Sequence, residues 1–205
     1  MLDTVILNDF IVEAKAATYV GGGVSRPPCR PGAHDIGYER GDWSYLDSYF
    51  GGTDFAGQEV IWFAGEPVWA MNYFGRVVAS DLIDGRAAGT VIKAALSAMY
   101  REGRFLGGIE FDHPFGRYVD RSEGGCEGFS GQECIMVEER KAYVLDYRGG
   151  LVIPDVRPGG RRDQPLIRMP APFPRLRGEG DGRAPSVPHL PLAGQVPSPR
   201  LRGEG

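Results

Sequence analysis

A histidine beside an aspartate, His34-Asp35, is the most reactive-looking pair in this chain. A carboxylate that orients an imidazole makes it a general base near neutral pH. Neighbours on an extended chain point apart, so Asp47 or Glu59 is as good a partner for His34 as Asp35 is. The stretch 21–42 around the pair gathers Arg30, Tyr38, Glu39, Arg40 and Asp42. No serine or cysteine sits in an elbow motif that would make it a nucleophile. Besides catalysis, His34 has two plainer roles open to it: pinning its loop, or touching a ligand.

A second group is aromatic. Trp43, Tyr45 and Tyr49 recur with strand periodicity and share a face with Asp47. Trp62, Trp69, Asn72 and Tyr73 follow on the next two strands. Rings interspersed with a few polar groups are the usual lining of a small-molecule pocket. The same rings beneath helices would be plain core. Asp47 and Asn72 favour the pocket, because a polar group on an apolar face needs a partner once buried. The candidate ligand-binding set is therefore Arg30, His34, Asp35, Tyr38, Trp43, Tyr45, Asp47, Tyr49, Glu59, Trp62, Trp69, Asn72 and Tyr73. Arg30, His34, Asp35 and Tyr38 are expected to fold back over the face of Trp43, Tyr45 and Tyr49. No catalytic residue is assigned.

Other constellations fall short of a site. Glu110 and Asp112 share a strand face beside His113, but a metal centre wants a second histidine. Gly21-Gly22-Gly23 lacks the preceding strand and following helix of a phosphate loop. Cys29, Cys126 and Cys134 are odd in number and lack CxxC spacing, so neither a disulfide framework nor a zinc knuckle is indicated. No metal or cofactor is expected.

The elements that must position these residues follow from periodicity. Phe10, Ile11, Ala14, Ala17 and Thr18 form one face of a helix over 9–19, capped by Asn8 or Asp9 and stopped by glycines. Residues 21–42, rich in glycine and proline, read as irregular. Three strands come next, over 43–50, 58–63 and 68–74, the last two joined by the turn 64–67. Those two carry apolar residues on both faces, the mark of a sheet covered on both sides. Asp84 caps a second helix over 86–102, and Gly103 ends it; its stripe Val91, Ile92, Ala95, Leu96, Met99 and Tyr100 is core. Strands over 108–112, 117–120, 127–130, 133–137 and 142–147 complete the domain. The order predicts an α+β fold, a mostly antiparallel sheet packed by two helices, over residues 8–153.

Composition sets the outer bounds. The net charge of −4 hides an acidic body: residues 1–153 carry 14 Lys+Arg against 22 Asp+Glu, while 154–205 carry 9 against 5. An acidic body is not a nucleic-acid binder. No apolar run is long enough for a membrane span, and the first residues lack the features of a signal peptide, so a cytoplasmic location is expected. Residues 154–205 are rich in proline, glycine and arginine, and a PxPRLRGEG segment occurs there twice. That composition predicts a disordered low-complexity tail.

Several separated stretches are also familiar: FIVEAKAATYVGGG, RPGAHDIGYERGDWSYLDSYFGGTDFAGQEVIW, GEPVWAMNYFGRV and YVLDYRGGLV. In order, over about residues 10–152, they resemble the bacterial and archaeal domain of unknown function 5680 family. The resemblance implies no reaction and carries over no catalytic residue. Related sequences have short Ser-rich stretches where this chain has Pro27-Pro28-Cys29. Members also occur behind helix-turn-helix domains, which by analogy favours a ligand-sensing or binding module. A small hydrolase- or lyase-type enzyme using His34 with a carboxylate, or a protein-interaction module, is the alternative. A small molecule is the expected partner; the oligomeric state is open.

Overall fold

Two aspartates begin the two helices in the same way. Asp3 accepts hydrogen bonds from the amides of Val5 and Ile6 at 2.9 and 3.4 Å, and Asp84 accepts one from the Ala87 amide at 2.7 Å. Each satisfies donors that the first helical turn leaves open. The computed structural model describes residues 2–152. The expected tail lies outside the described residues. Helix α1 spans Thr4–Lys15 and continues through one wider π turn, Ala16–Val20. It starts earlier than the expected cap at Asn8 or Asp9, because Leu7 extends the buried stripe of Phe10, Ile11 and Ala14 back by a turn. Helix α2 spans Gly85–Arg101, with the expected Asp84 cap and a positive φ of 73° at Gly103.

The strands are β1 (Val24–Arg26), β2 (His34–Arg40), β3 (Trp43–Gly51), β4 (Phe55–Phe63) and β5 (Glu66–Val77), then β6 (Ile109–His113), β7 (Gly116–Gly125), β8 (Gly128–Val137) and β9 (Arg140–Leu151). They form one nine-stranded sheet in the order β1-β2-β3-β4-β5-β9-β8-β7-β6, every pairing antiparallel. The antiparallel sheet and the two helices match the expectation, but the fold is largely β. Two readings are corrected. Residues 21–42 are not wholly irregular: β1 and β2 pair there, Gly37 leaving room for the Arg26 side chain, which a Cβ would meet at 2.1 Å. Residues 127–130 and 133–137 are not two strands but one, β8, running through Gly131.

The strand order is a palindrome about the β5–β9 pair, and the sequence repeats with it. FAGQEVIW in β4 returns as FSGQECIM in β8, and residues 55–78 align without a gap on 129–152. Upstream, Ile36, Tyr45, Asp47, Gly51 and Gly52 stand as Ile109, Tyr118, Asp120, Gly124 and Gly125, with Gly128 the one insertion. Asp3, Ile11, Ala14 and Tyr19 of α1 stand as Asp84, Ile92, Ala95 and Tyr100 around α2. The pairing register obeys the same relation. Tyr73 faces its own counterpart Tyr147, and Trp69↔Leu151 mirrors Val77↔Tyr143. The register slips after Ile61 in one half and after Ile135 in the other. Each half is one helix and four strands, with β1 an addition to the first.

Both helices lie on one face of the sheet. Phe10 stacks on Trp43 at 5.1 Å, fixing α1 over β2 and β3. Trp69, fully buried, meets Phe105 and Phe129 and donates its indole N–H to the Cys126 carbonyl at 3.1 Å. Tyr45, Ile61, Met99, Tyr118 and Ile135 complete this core. Among the described residues the sheet is covered by helices on one face, not on both as its apolar strands suggested. Val60, Trp62 and Ala70 face the other way and are only half-buried, and Phe74 there is exposed.

Candidate functional site

Strand alternation places Asp47, Glu59, Asp120 and Glu133 on the helix-covered face, and all four are buried. They form cross-strand pairs: Asp47 opposite Glu59 and Asp120 opposite Glu133. By the internal repeat these are the same pair built twice. Between them, on β5 and β9, stand Tyr73 and Tyr147. Each tyrosine leans over the neighbouring strand at a glycine. A Cβ on Gly57 would come within 2.3 Å of the Tyr73 Oη, and one on Gly131 within 2.2 Å of the Tyr147 ring. Glycine is therefore required at both places for the hydroxyls to reach two strands across. Tyr73 Oη donates to Asp47 Oδ1 at 2.6 Å, and Tyr147 Oη donates to Asp120 Oδ1 at 2.8 Å. On the opposite face the repeat holds as well: Gln58 donates to Asn72 at 3.1 Å and Gln132 to Asp146 at 2.8 Å.

These groups wall a cavity of about 340 Å³ between the helices and the sheet. Its size is that of small-molecule sites. Tyr19, Phe55, Met71, Leu96, Tyr143 and Leu145 give it apolar and aromatic surface. The two acid pairs are treated differently. Lys15, only 6 % exposed, places its Nζ 2.7 and 2.6 Å from the two oxygens of Glu59. The residue of α2 that corresponds to Lys15 is Leu96, which brings no charge. Asp120 is 2 % exposed and Glu133 9 %; Asp120 Oδ2 and Glu133 Oε2, and in the other pair Glu59 Oε2, have no hydrogen-bond partner among the described residues, but only Glu59 has a buried lysine against it. Buried oxygens of this kind are costly.

The acids respond as desolvated carboxyls do. Burial, with the Glu59 charge adding to it, pushes Asp47 up to about 7, against the Tyr73 hydrogen bond and the charge of Lys15. Burial, with Asp120 adding to it, pushes Glu133 up to about 8. Burial also raises Asp120, against the hydrogen bond from Tyr147. Glu133, and Asp47 in part, thus hold their protons near neutral pH.

Of the residues singled out in the sequence, Asp47, Tyr49, Glu59 and Tyr73 line this cavity. Tyr45 and Trp69 are core beneath it. Trp43 stacks on Phe10 and Phe63 outside it. Tyr38 donates to Glu13 on α1. Trp62 and Asn72 lie on the opposite face. The loop does not fold back over the aromatic face. Instead β2 lies alongside β3, with His34 opposite Tyr49 and Tyr38 opposite Tyr45. Arg30 and Asp35 reach the far face: Arg30 donates to Ser48 O and Oγ at 2.9 and 2.8 Å and stands over the Phe50 ring at 4.8 Å. Asp35 accepts from Ser48 Oγ at 2.7 Å and from the Cys29 amide at 2.8 Å. Those bonds and the Arg30 charge hold its carboxyl below the usual range although burial opposes them. His34 is exposed and stacks on Tyr49, with no hydrogen bond to a carboxylate among the described residues. Glu110 is tied to Arg117 and Arg121 on the surface.

Lys15, Asp120, Glu133, Tyr143 and Tyr147 escaped the reading of the sequence. The signal for the acids was there: a carboxylate two residues from a buried apolar side chain in a strand, and FxGQE written twice.

The described residues thus form a two-helix, palindromic antiparallel sheet with an acid-lined cavity between the helices and the sheet. Residues 47–152, just over half of the chain, match the family described as Domain of unknown function (DUF5680), and the chain belongs to that family. Neither a curated protein nor a solved structure matches the chain. No helix among the described residues is long and apolar enough to cross a membrane.

Proposed function

We propose that the protein is a small-molecule binding module whose ligand occupies the cavity between the helices and the sheet. One observation carries the reading: buried oxygens of Asp120 and Glu133 face that cavity without a partner among the described residues. A core with no ligand to accommodate would have been filled with apolar side chains at this place, as it is around Trp69. The enzyme reading through His34 has no comparable support, because among the described residues no carboxylate is bonded to its ring.

A thermal-shift screen of metabolites against the full chain tests this, since a ligand bound only by the folded state raises the melting temperature. The control is Gly89→Trp. Gly89 lines the cavity from α2, and a Cβ there meets nothing within 4 Å. The indole is expected to fill the cavity without unfolding the helix. Compounds that raise the wild-type Tm are expected to lose their effect on Gly89→Trp. Shifts that persist in the variant, or no shift by any compound, would contradict the proposal.

A further inference from the structure

The repeat makes the first half of the molecule a reference for the second. In the first half the acid pair Asp47/Glu59 is met by a buried ammonium, Lys15 Nζ, 2.6 Å from Glu59. In the second half the position of α2 that corresponds to Lys15 is Leu96, which lines the same cavity as the pair Asp120/Glu133; Lys15 acts on Glu133 by its charge but forms no ion pair with it. The cavity wall also includes the aromatic and aliphatic side chains of Tyr143, Leu145, Phe105 and Tyr147 and, from α2, Lys93. The nearest lysine on α2, Lys93, is exposed and stands over the Tyr19 ring at 5.8 Å. Resting on the binding role proposed above, we infer that the ligand is an organic cation, an ammonium or guanidinium on an apolar or aromatic body. Its charged head lies between Asp120 and Glu133, where the first half of the repeat has a lysine.

Three further observations support that class. Two adjacent carboxyl groups facing one space repel an anion and attract a cation. Tyrosine rings flank the place, and their faces attract a cation. A metal ion is the weaker candidate, because among the described residues no three His, Cys, Asp or Glu side chains are grouped to hold one. Burial of Glu133 and its proximity to Asp120 keep its proton on in the empty cavity, so an entering cation replaces that proton and restores the charge.

The test uses the full chain and three probes of one shape and different charge: 4-phenylbutylamine, 4-phenylbutan-1-ol and 4-phenylbutyrate. At pH 7.5 the amine is expected to raise Tm and to bind at least tenfold more tightly by calorimetry than the alcohol, with the carboxylate weakest. Leu96→Lys places the missing ammonium on α2. It is expected to melt above wild type and to lose at least tenfold in amine affinity, well beyond the loss in Leu96→Met, which reshapes the same wall without adding charge. Glu133→Gln is expected to fold and to lose the preference of amine over alcohol. An alcohol or carboxylate that binds as tightly as the amine overturns the charge assignment and leaves the cavity a binding site. Amine binding unchanged in Leu96→Lys overturns the placement. No Tm shift from any probe, together with a Leu96→Lys protein less stable than wild type, overturns both the cation and the binding role.

Discussion

The two halves of the sheet share a helix cap, a glycine under a tyrosine, a tyrosine–aspartate hydrogen bond and a buried acid pair, and differ in the helix residue that corresponds across them, Lys15 against Leu96. The first half closes its acid pair with Lys15; the second leaves Asp120 and Glu133 facing the cavity with Leu96 above them. Duplication fixed the geometry, and the difference between lysine and leucine decides which half is finished from within. A buried carboxylate with a lysine at 2.6 Å is structure. The same carboxylate without one is, on the binding role proposed above, the place for a charge brought from outside.

Breaking the finished half has the largest expected effect. Lys15→Met leaves Glu59 buried without its counter-charge and is expected to cost about 3–5 kcal/mol in urea unfolding. Leu96→Met at the matching place is expected to cost less than about 1.5 kcal/mol. Equal costs would remove the distinction between the halves.

The pH dependence of the empty protein comes next. Asp47 and Glu133 titrate at about 7 and about 8 in the folded chain, against ordinary values of 3.8 and 4.5. Between those values the folded state holds protons that the unfolded state has released. Stability from these groups is therefore greatest at low pH and is lost as pH rises through 7 and 8. The loss between pH 5.5 and 8.5 is expected to be on the order of 5 kcal/mol. Glu133→Gln is expected to flatten the upper part of that curve and Asp47→Asn the lower. A stability that rises over this range would contradict the burial of the acids.

Gly57→Ala and Gly131→Ala test whether the halves are built alike. Each added methyl displaces a tyrosine, and each is expected to cost about 1–3 kcal/mol. The smallest effects belong to the caps: Asp3→Ala and Asp84→Ala are each expected to lower stability by about 1 kcal/mol. In both comparisons the two costs should agree within a factor of two.

Much of the fold was legible in the sequence because period-two alternation survives wherever one face is buried. It revealed β3, β4 and β5, and Asp84 announced α2. Where glycine interrupts a strand the reading broke. Gly131 divided β8 into two pieces because the glycine looks like a stop, yet it is the floor on which Tyr147 lies. Gly37, near Pro27, Pro28 and Pro31, hid β2 for the same reason. Half of the cavity followed from those failures. Asp47, Glu59, Tyr49 and Tyr73 were found because they stand in uninterrupted alternation. Asp120 and Glu133 were passed over because short strand segments give a carboxylate no face to be odd on. Trp62 and Asn72 were misplaced onto the cavity side by overlooking that each follows an inward-pointing residue, Ile61 and Met71. Arg30 and Asp35 could not be placed without the register of β2 on β3, which a glycine-rich sequence does not specify.

The exchange of Lys15 and Leu96 between the halves tests the account most directly. Lys15→Leu combined with Leu96→Lys moves the ammonium from the Asp47/Glu59 pair to the Asp120/Glu133 pair and changes nothing else in composition. If the halves are equivalent frames, the double variant regains most of the stability lost in Lys15→Leu alone, and a double-mutant cycle in urea records that recovery. A double variant no more stable than Lys15→Leu, with the two substitutions simply additive in their cost, would contradict the equivalence on which the reading of the cavity rests.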